Sequence, residues 1–251
     1  MTALLAIEHL SIAFGGLQVL QDLSFTVPEG QATALIGPNG AGKTTVFNLV
    51  SGVYEPTAGR ILLAGQDITA LPSRQRIRHG IARSFQNVRL MDHLSVVDNL
   101  LVGQHATTRG LRDLLVPFRL VPNHRWRREA IDALAEAGLA ACADAAVGAL
   151  PYGLRKRIDL VRATLAGASL LMLDEPAAGL NPTETNALRD HLALLRRRGV
   201  TLLVVEHDMQ FVGEVCEHVV VLDFGQKLAE GTLAQVQRDE RVRAAYLGQA
   251  A

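Results

Sequence analysis

The stretch Gly37-Pro38-Asn39-Gly40-Ala41-Gly42-Lys43-Thr44-Thr45 decides the fold class of this 251-residue chain. It matches the pattern G-x-x-x-x-G-K-[ST], which requires a buried strand before it and a helix after it. The apolar run Ala32–Ile36 predicts the strand, and the residues from Lys43 to about Val50 predict the helix. The sequence therefore predicts an α/β fold that carries a phosphate-binding loop.

The chemistry of a phosphate site explains the residue types in this stretch. Glycines let the backbone curl so that successive N–H groups point inward at an anion, and the following helix adds the positive end of its dipole. We expect Lys43 to reach the β- and γ-phosphates of a nucleotide, and the Thr44 hydroxyl to coordinate Mg²⁺. The predicted nucleotide-binding residues of this stretch are Gly37, Pro38, Asn39, Gly40, Ala41, Gly42, Lys43, Thr44 and Thr45.

An acidic pair farther along the chain predicts the second half of the site. The apolar run 170–173 ends in Asp174 and Glu175. Such a run is by itself an ordinary strand end, but downstream of an intact phosphate loop it predicts catalytic groups. Asp174 would hold the magnesium ion, directly or through water. Glu175 would polarise the water that attacks the phosphate.

His207 has two interpretations from sequence. It follows the predicted strand Thr201–Val205 and Glu206. An isolated histidine in such a place caps a helix or lies on the surface. Ligands of open α/β sheets bind at the carboxyl ends of parallel strands, so here a contact with the γ-phosphate is the second interpretation.

Composition excludes several other classes of protein. The chain is 49% hydrophobic and 20% charged with a formal net charge of zero, which is typical of a globular protein and argues against nucleic-acid binding driven by bulk charge. Cys142 and Cys216 lack metal-ligand spacing and are expected to be reduced thiols. Apolar stretches fall short of the ~20 residues of a membrane span. We expect a protein that stays inside the cell and whose membrane part, if any, comes from other chains.

The order of the predicted elements indicates one α/β domain with an insertion. Residues 2–36 alternate as strands, residues 87–150 have helical periodicity, and α/β alternation returns after residue 155. We predict a single domain over 1–251, with 1–86 and 155–251 as the core and 87–154 as a helical subdomain. The later elements predicted are helix 154–166, strand 169–173, helix 182–198, strand 200–205, a helix from Asp208, strand 218–223 and a hairpin at 223–226.

Together these residues resemble the ATP-binding-cassette (ABC) ATPases, and the resemblance covers nearly the whole chain. It implies a P-loop NTPase core with an antiparallel β subdomain and an inserted α-helical subdomain. Gln86 in Ser84-Phe85-Gln86-Asn87 matches the family's Q-loop, and Gly179-Leu180-Asn181 matches its D-loop. Phe14 matches the aromatic residue that stacks on adenine, with Val19 beside the base.

The resemblance also implies a role for each matched residue. Glu175 is the expected general base and His207 the γ-phosphate sensor, at the position of the family's switch histidine. Gln86 is expected to join the magnesium and water network and to sense the membrane partner. The implied cofactors are ATP and Mg²⁺, and the implied metal-binding residues are Thr44, Gln86 and Asp174.

Finer features resemble the ATP-binding subunits of branched-chain amino acid importers. They are Phe14-Gly15-Gly16-Leu17, the run 176–182 with Asn181 in place of the commoner aspartate, the run 205–209, and Ala245-Tyr246-Leu247-Gly248. This resemblance implies uptake of branched-chain amino acids, with urea, amides or other amino acids as alternatives. A non-transport ABC ATPase is less favoured, because the sequence shows no second cassette, long coiled coil or strongly basic face. A regulator that no longer hydrolyses ATP is less favoured, because Glu175, Gln86 and His207 are all retained.

The importer resemblance implies partners and a location. We expect integral-membrane permease subunits, a second ATPase subunit that is either identical or different, and indirect coupling to a periplasmic solute-binding protein, with no nucleic acid. The implied location is peripheral, at the cytoplasmic face of the inner membrane. Arginines of the insert 107–128 are interpreted as a solvated face, with a permease contact as the alternative.

The segment Leu150-Pro151-Tyr152-Gly153-Leu154 occupies the place of the family signature, commonly LSGGQ, which completes the ATP site of the neighbouring subunit. Three of its five positions depart from that pattern. Pro151 brings neither a hydroxyl nor an N–H, although it suits the first turn of a helix. The Gly153 amide and the helix dipole should still face the phosphate. One lost hydrogen bond to a charged group costs about 1.5–3 kcal/mol, so we expect a heterodimer with two unequal ATP sites.

Overall fold

The computed structural model describes residues 2–84, 90–104, 125–165 and 167–247. Gln86, most of the insert at 107–128 and Gly248 lie outside these ranges, and the predictions made for them are not tested by the structure. The fold class predicted from the sequence is confirmed: an antiparallel sheet, a mostly parallel sheet and a cluster of helices are all present.

The antiparallel sheet contains strands β1 (Ala3–Phe14), β2 (Leu17–Pro28), β4 (Ala58–Leu63) and β5 (Gln66–Asp67), in the order β2-β1-β4-β5 within the described residues. β1 and β2 are longer than the sequence pattern predicts. Bulges interrupt their pairing, and His9 and Asp22 both have a left-handed backbone with φ of 52°. Each bulge shifts the alternation of buried and exposed residues, which hides a long strand from a search for strict period two.

The mostly parallel sheet carries the strand predicted to precede the phosphate loop at its centre. Its order in the described chain is β10-β9-β3-β8-β7-β6. β3 pairs in parallel with β8 and β9, and all five of its residues are buried, as expected of a strand covered on both faces. The strands are β3 (Ala32–Ile36), β6 (Ile81–Arg83), β7 (Leu170–Asp174), β8 (Thr201–Val205), β9 (His218–Asp223) and β10 (Gln226–Gly231).

Several predicted helices are confirmed with small changes at their ends. Helix α1 begins at Lys43 as predicted, and Asn181 caps α6 in a capping box with Glu184. The short helices α2, α8 and α9 were not predicted, because each has little apolar periodicity. The described helices are α1 (Lys43–Val50), α2 (Ser73–Arg78), α3 (Val96–Gln104), α4 (Arg125–Glu136), α5 (Tyr152–Leu165), α6 (Pro182–Arg197), α7 (Met209–Val215), α8 (Leu233–Arg238) and α9 (Glu240–Leu247).

Helix α5 belongs to two hydrophobic cores. Ile158 and Val161 pack with α3 and α4 in the helical cluster, whereas Leu160 packs against the parallel sheet. The predicted boundary at residue 155 falls inside this helix, and the division of the chain into core and helical subdomain stays a prediction. Among the described residues, no helix is long and apolar enough to cross a membrane.

A buried arginine closes the end of the helix that follows the phosphate loop. Arg76 is 1% exposed, and its guanidinium donates to the carbonyls of Leu49 and Val50, where α1 ends. It also donates to Leu71 O and Thr69 O at 2.7 Å each. Burial lowers the pKa of Arg76 below that of free arginine, while Glu55 and Asp67 oppose the shift. The charge is thus held by backbone dipoles of α1 and of the loop before α2.

Arg76→Met should destabilise the protein by about 3 kcal/mol, because several buried carbonyls would lose their donor together. Equilibrium unfolding in urea measures the change. Arg78→Met on the exposed side of the same helix is the control and should cost less than about 0.5 kcal/mol. Equal losses for the two variants would contradict the capping role of Arg76.

Candidate functional site

A cavity of about 290 Å³ lies at the carboxyl ends of β3, β7 and β8. Parallel strands bring the residues that follow them to the same edge of a sheet, where ligands of such folds bind. The cavity is lined by Val19, Asn39, Gly40, Gly42, Lys43, Thr44, Thr45, Asp174, Glu175, Val205 and His207. Most of the residues predicted from sequence therefore meet at one place.

Two glycines of the loop 37–45 are required by its backbone. Gly42 has φ of 103°, and a Cβ there would lie 2.6 Å from Leu20 Cδ2. Gly37 has φ of 151°, and its Cβ would overlap the carbonyl of Leu222. Any other residue would therefore strain the loop and push on the strands beside it.

The Lys43 ammonium lies inside the loop. The residue is 7% exposed, and Nζ donates to Gly37 O at 2.7 Å and to Pro38 O at 2.9 Å. Burial lowers the pKa of Lys43, and the carboxylates of Glu175 and Asp174 oppose that shift. The ammonium is therefore tethered to the loop and faces the acidic pair across the cavity.

Asp174 ends β7 and pairs with an arginine that the sequence did not single out. Arg83 Nη2 lies 3.3 Å from Asp174 Oδ2, and both side chains are nearly buried. Arg83 also donates to Asn48 Oδ1 at 2.7 Å and stacks over the Phe47 ring at 5.5 Å, both on α1. The sequence around Arg83 carries no signal for this contact, because Asp174 lies 91 positions away in the chain.

Glu175 and His207 form a pair at the mouth of the cavity. His207 Nε2 lies 3.2 Å from Glu175 Oε1. Glu175 has a left-handed backbone with φ of 48°, and its N–H donates to Val205 O at 2.9 Å. Such a conformation costs a residue other than glycine about 1–3 kcal/mol and is often found at functional sites.

The turn that follows Glu175 is held by two charged side chains. Lys156 Nζ donates to Glu175 O and Ala178 O at 2.8 Å each. Glu206, which is 4% exposed, accepts from Ala177 N at 2.7 Å and from His207 N at 3.0 Å. Neither residue was predicted as part of the site, because both contacts are made to the backbone and leave no motif.

Comparison with family models decides what kind of site this is. Residues 20–178 match the model described as ABC transporter, and residues 226–251 match the model described as branched-chain amino acid ATP-binding cassette transporter. The first match covers more than half of the chain, including the phosphate loop and the acidic pair.

The chain belongs to the ABC transporter family.

Relatives and solved structures agree with this assignment. The chain is 42% identical to the high-affinity branched-chain amino acid transport ATP-binding protein BraF of Pseudomonas aeruginosa and 40% identical to LivG of Escherichia coli, each over 98% of both chains. It is 33% identical to the lipopolysaccharide export ATP-binding protein LptB of Escherichia coli, also over 98% of both. The ADP conformation of MJ1267, an ATP-binding cassette of an ABC transporter, superposes with a TM-score of 0.88 and 28% identity, covering 99% of this chain and 100% of the other. The chain is thus an ATP-binding cassette ATPase.

Among the described residues predicted to bind the nucleotide, five do not line the cavity: Phe14, Gly37, Pro38, Ala41 and Gly153. Phe14 is 42% exposed, and its ring meets that of Tyr54 edge to face, with centroids 5.1 Å apart. Tyr54 was not predicted, because an exposed aromatic after α1 has no local pattern. Gly153 is buried in the first turn of α5, where a Cβ would overlap the carboxylate of Glu184.

The donor set of the cavity fits a magnesium nucleotide. The Thr44 hydroxyl and the Asp174 carboxylate line the same cavity, and hard oxygen groups of this kind are the ligands that Mg²⁺ prefers. The buried Lys43 side chain adds a positive charge to the same cavity. Oxygen ligands and a cation thus face each other across the space next to the loop amides.

Gly153→Ala should destabilise the cassette by about 1–2 kcal/mol, since the added methyl displaces Glu184 from the capping box of α6. Glu184 Oε2 accepts from Asn181 N at 3.0 Å, and this bond would be lost. Urea unfolding of the single and double variants with Glu184→Ala measures the effect. The cost of Gly153→Ala should shrink in the Glu184→Ala background, and strictly additive costs would show that the overlap is not the cause.

Proposed function

We propose that this chain is the ATP-hydrolysing subunit of an importer for branched-chain amino acids. The observation that carries the proposal is the meeting of Lys43, Thr44, Asp174, Glu175 and His207 around one cavity. These groups supply phosphate binding, a metal site and a base, which are the parts that ATP hydrolysis needs.

The phosphate loop binds the triphosphate in this proposal. The amides of 37–45 and the N-terminus of α1 face the anion, and Lys43 moves its hydrogen bonds from Gly37 O and Pro38 O to phosphate oxygens. Thr44 and Asp174, joined by Gln86, would hold Mg²⁺. The metal ion neutralises charge on the phosphates when it is bound. Phe14 and Tyr54 offer aromatic faces for the adenine, beside Val19.

Glu175 is the general base of the proposed reaction. A water molecule attacks the γ-phosphorus, its proton passes to a Glu175 carboxylate oxygen, and the bond between the γ-phosphorus and the bridging oxygen breaks to give ADP and phosphate. His207, at 3.2 Å from the carboxylate, orients it and contacts the γ-phosphate. Glu175 has a left-handed backbone, and the residue lines the cavity.

The partners follow from membership of the ABC transporter family, whose ATP-binding components work with membrane permeases and dimerise. We infer that Gly153 and the start of α5 complete the nucleotide site of a second ATPase subunit, identical or different. A periplasmic solute-binding protein acts through the permeases. The subunit would then lie at the cytoplasmic face of the inner membrane as a peripheral protein.

The transported solute is assigned from the sequence similarity of this chain to transport proteins. BraF and LivG are branched-chain amino acid transport proteins at 42% and 40% identity, and the match at residues 226–251 points the same way. The lipopolysaccharide export protein LptB is less similar at 33%. Import of branched-chain amino acids is therefore favoured over export, with urea, amides and other amino acids as the competing solutes.

Glu175→Gln should lower the rate of ATP hydrolysis by at least about 100-fold, because an amide cannot accept the proton of water. ATP binding should persist, and the variant should accumulate as an ATP-bound dimer. Phosphate release, nucleotide titration and size-exclusion chromatography measure the three effects. Lys43→Ala is the control that loses ATP affinity.

A normal steady-state rate of ATP hydrolysis in Glu175→Gln would show that Glu175 is not the general base. Unchanged nucleotide affinity in Lys43→Ala would contradict the phosphate site. The two variants thus separate binding from the chemical step.

Uptake measurements test the solute. In membrane vesicles that hold the intact transporter, labelled leucine should accumulate with ATP, and unlabelled isoleucine and valine should compete. Urea, acetamide and glutamate should not compete at the same concentration. The matched transporter with Lys43→Ala should show no uptake. Accumulation of urea or an amide in place of leucine would overturn the assignment.

A further inference from the structure

Lys156 connects two parts of the cassette that are separate in sequence. It lies on α5, one turn after Gly153, and its half-buried side chain reaches the turn after β7. Nζ donates to Glu175 O and to Ala178 O, both at 2.8 Å. Ala178 N donates to Glu175 O at 3.3 Å, so the ammonium bridges the two residues that close this turn.

The backbone that Lys156 holds is the strained backbone of Glu175. A left-handed conformation is uncommon for a residue other than glycine and persists only where its surroundings hold it. On the amino side, Glu175 N donates to Val205 O at 2.9 Å. On the carbonyl side, Lys156 supplies a charged donor. The orientation of the peptide after Glu175, and therefore of its side chain toward His207, depends on both bonds.

Several groups around Lys156 stabilise a positive charge. Its ammonium lies 5.7 Å from the centroid of the Tyr152 ring on the same helix. Burial lowers the pKa of Lys156, and the carboxylates of Glu206 and Glu175 oppose that shift from the sheet side. The ammonium thus contacts two carbonyls and lies near an aromatic face.

We propose that Lys156 is a positioning residue that fixes the backbone of Glu175 and joins it to the helix that carries Gly153. This inference rests on the proposed role of Glu175 as the general base. Its acceptors lie outside the phosphate loop, so Lys156 acts on the hydrolysis step and not on nucleotide affinity. A movement of α5 caused by a nucleotide at its N-terminus then reaches Glu175 through the Lys156 side chain.

Lys156→Met removes the charge and both donors while keeping an unbranched side chain. We expect kcat for ATP to fall about 10–100-fold, the loss that follows from a charged hydrogen bond. KM for ATP should change less than about threefold, because the contacts of the phosphate loop are unchanged. Lys156→Arg keeps the cation and its donors and should restore most of the lost kcat.

Lys227→Met is the matched control, since the chain has only three lysines and the third is Lys43. Lys227 lies on β10 and pairs with Glu230 at 2.6 Å. Its replacement should leave kcat and KM unchanged. Equal kcat in Lys156→Met and wild type, or a fall that Lys156→Arg does not reverse, would overturn the proposal.

Hydrogen exchange tests the positioning role without hydrolysis. In Lys156→Met, the amides of Ala177 and Ala178 should exchange at least about tenfold faster than in wild type. Glu175→Gln should leave their exchange unchanged, because it keeps the carbonyl that Lys156 binds. Unchanged exchange in Lys156→Met would overturn the positioning role. If the wild-type protein bound ATP without hydrolysing it, the proposed function would be wrong. The hydrogen-exchange result would still decide whether Lys156 positions the backbone of Glu175.

Discussion

The parallel register of the central sheet is the constraint on which the rest of the structure depends. Leu35 pairs with Val205, and Val205 in turn pairs with Asp174. Three chain segments therefore leave the sheet at the same level and on the same edge. A slip of one residue would turn every side chain of a strand to its opposite face. Because these strands are buried on both faces, that slip is excluded by packing, and the site inherits its geometry from the core.

Cations that bind backbone carbonyls hold the irregular segments around this edge. Lys43 binds the carbonyls of its own loop, Lys156 binds those of the turn after β7, and Arg76 binds those at the end of α1. Each such hydrogen bond contributes about 1.5–3 kcal/mol, more than a neutral pair would. Loops and helix ends expose carbonyls that regular structure leaves without partners. A buried or half-buried cation satisfies several of these carbonyls at once and fixes the segment.

The parts of the site that were predictable from sequence are those formed by residues close together in the chain. The phosphate loop, the acids after β7 and the cap at Asn181 each occupy a short pattern with a known physical requirement. The partners of these groups were not predictable, because they come from distant segments. Arg83 reaches Asp174 across 91 positions, and Lys156 reaches Ala178 across 22. Only folding of the sheet brings these distant residues together. A side chain that binds a backbone carbonyl can also do so at any residue type, so the contact leaves no pattern in the sequence.

Tyr152, one of the residues at which 150–154 departs from the usual signature, makes a contact within this chain. Tyr152, where the pattern has glycine, lies over the Lys156 ammonium and beside Gly179 of the D-loop. A ring in that place shields a half-buried cation from water and strengthens its bonds to the carbonyls of Glu175 and Ala178. Gly179 has φ of 76°, which favours glycine, and a Cβ there would lie at an ordinary contact distance of 3.5 Å from Tyr152 Cε1. The tyrosine therefore lies against the lysine whose ammonium binds the carbonyls of the turn after Glu175.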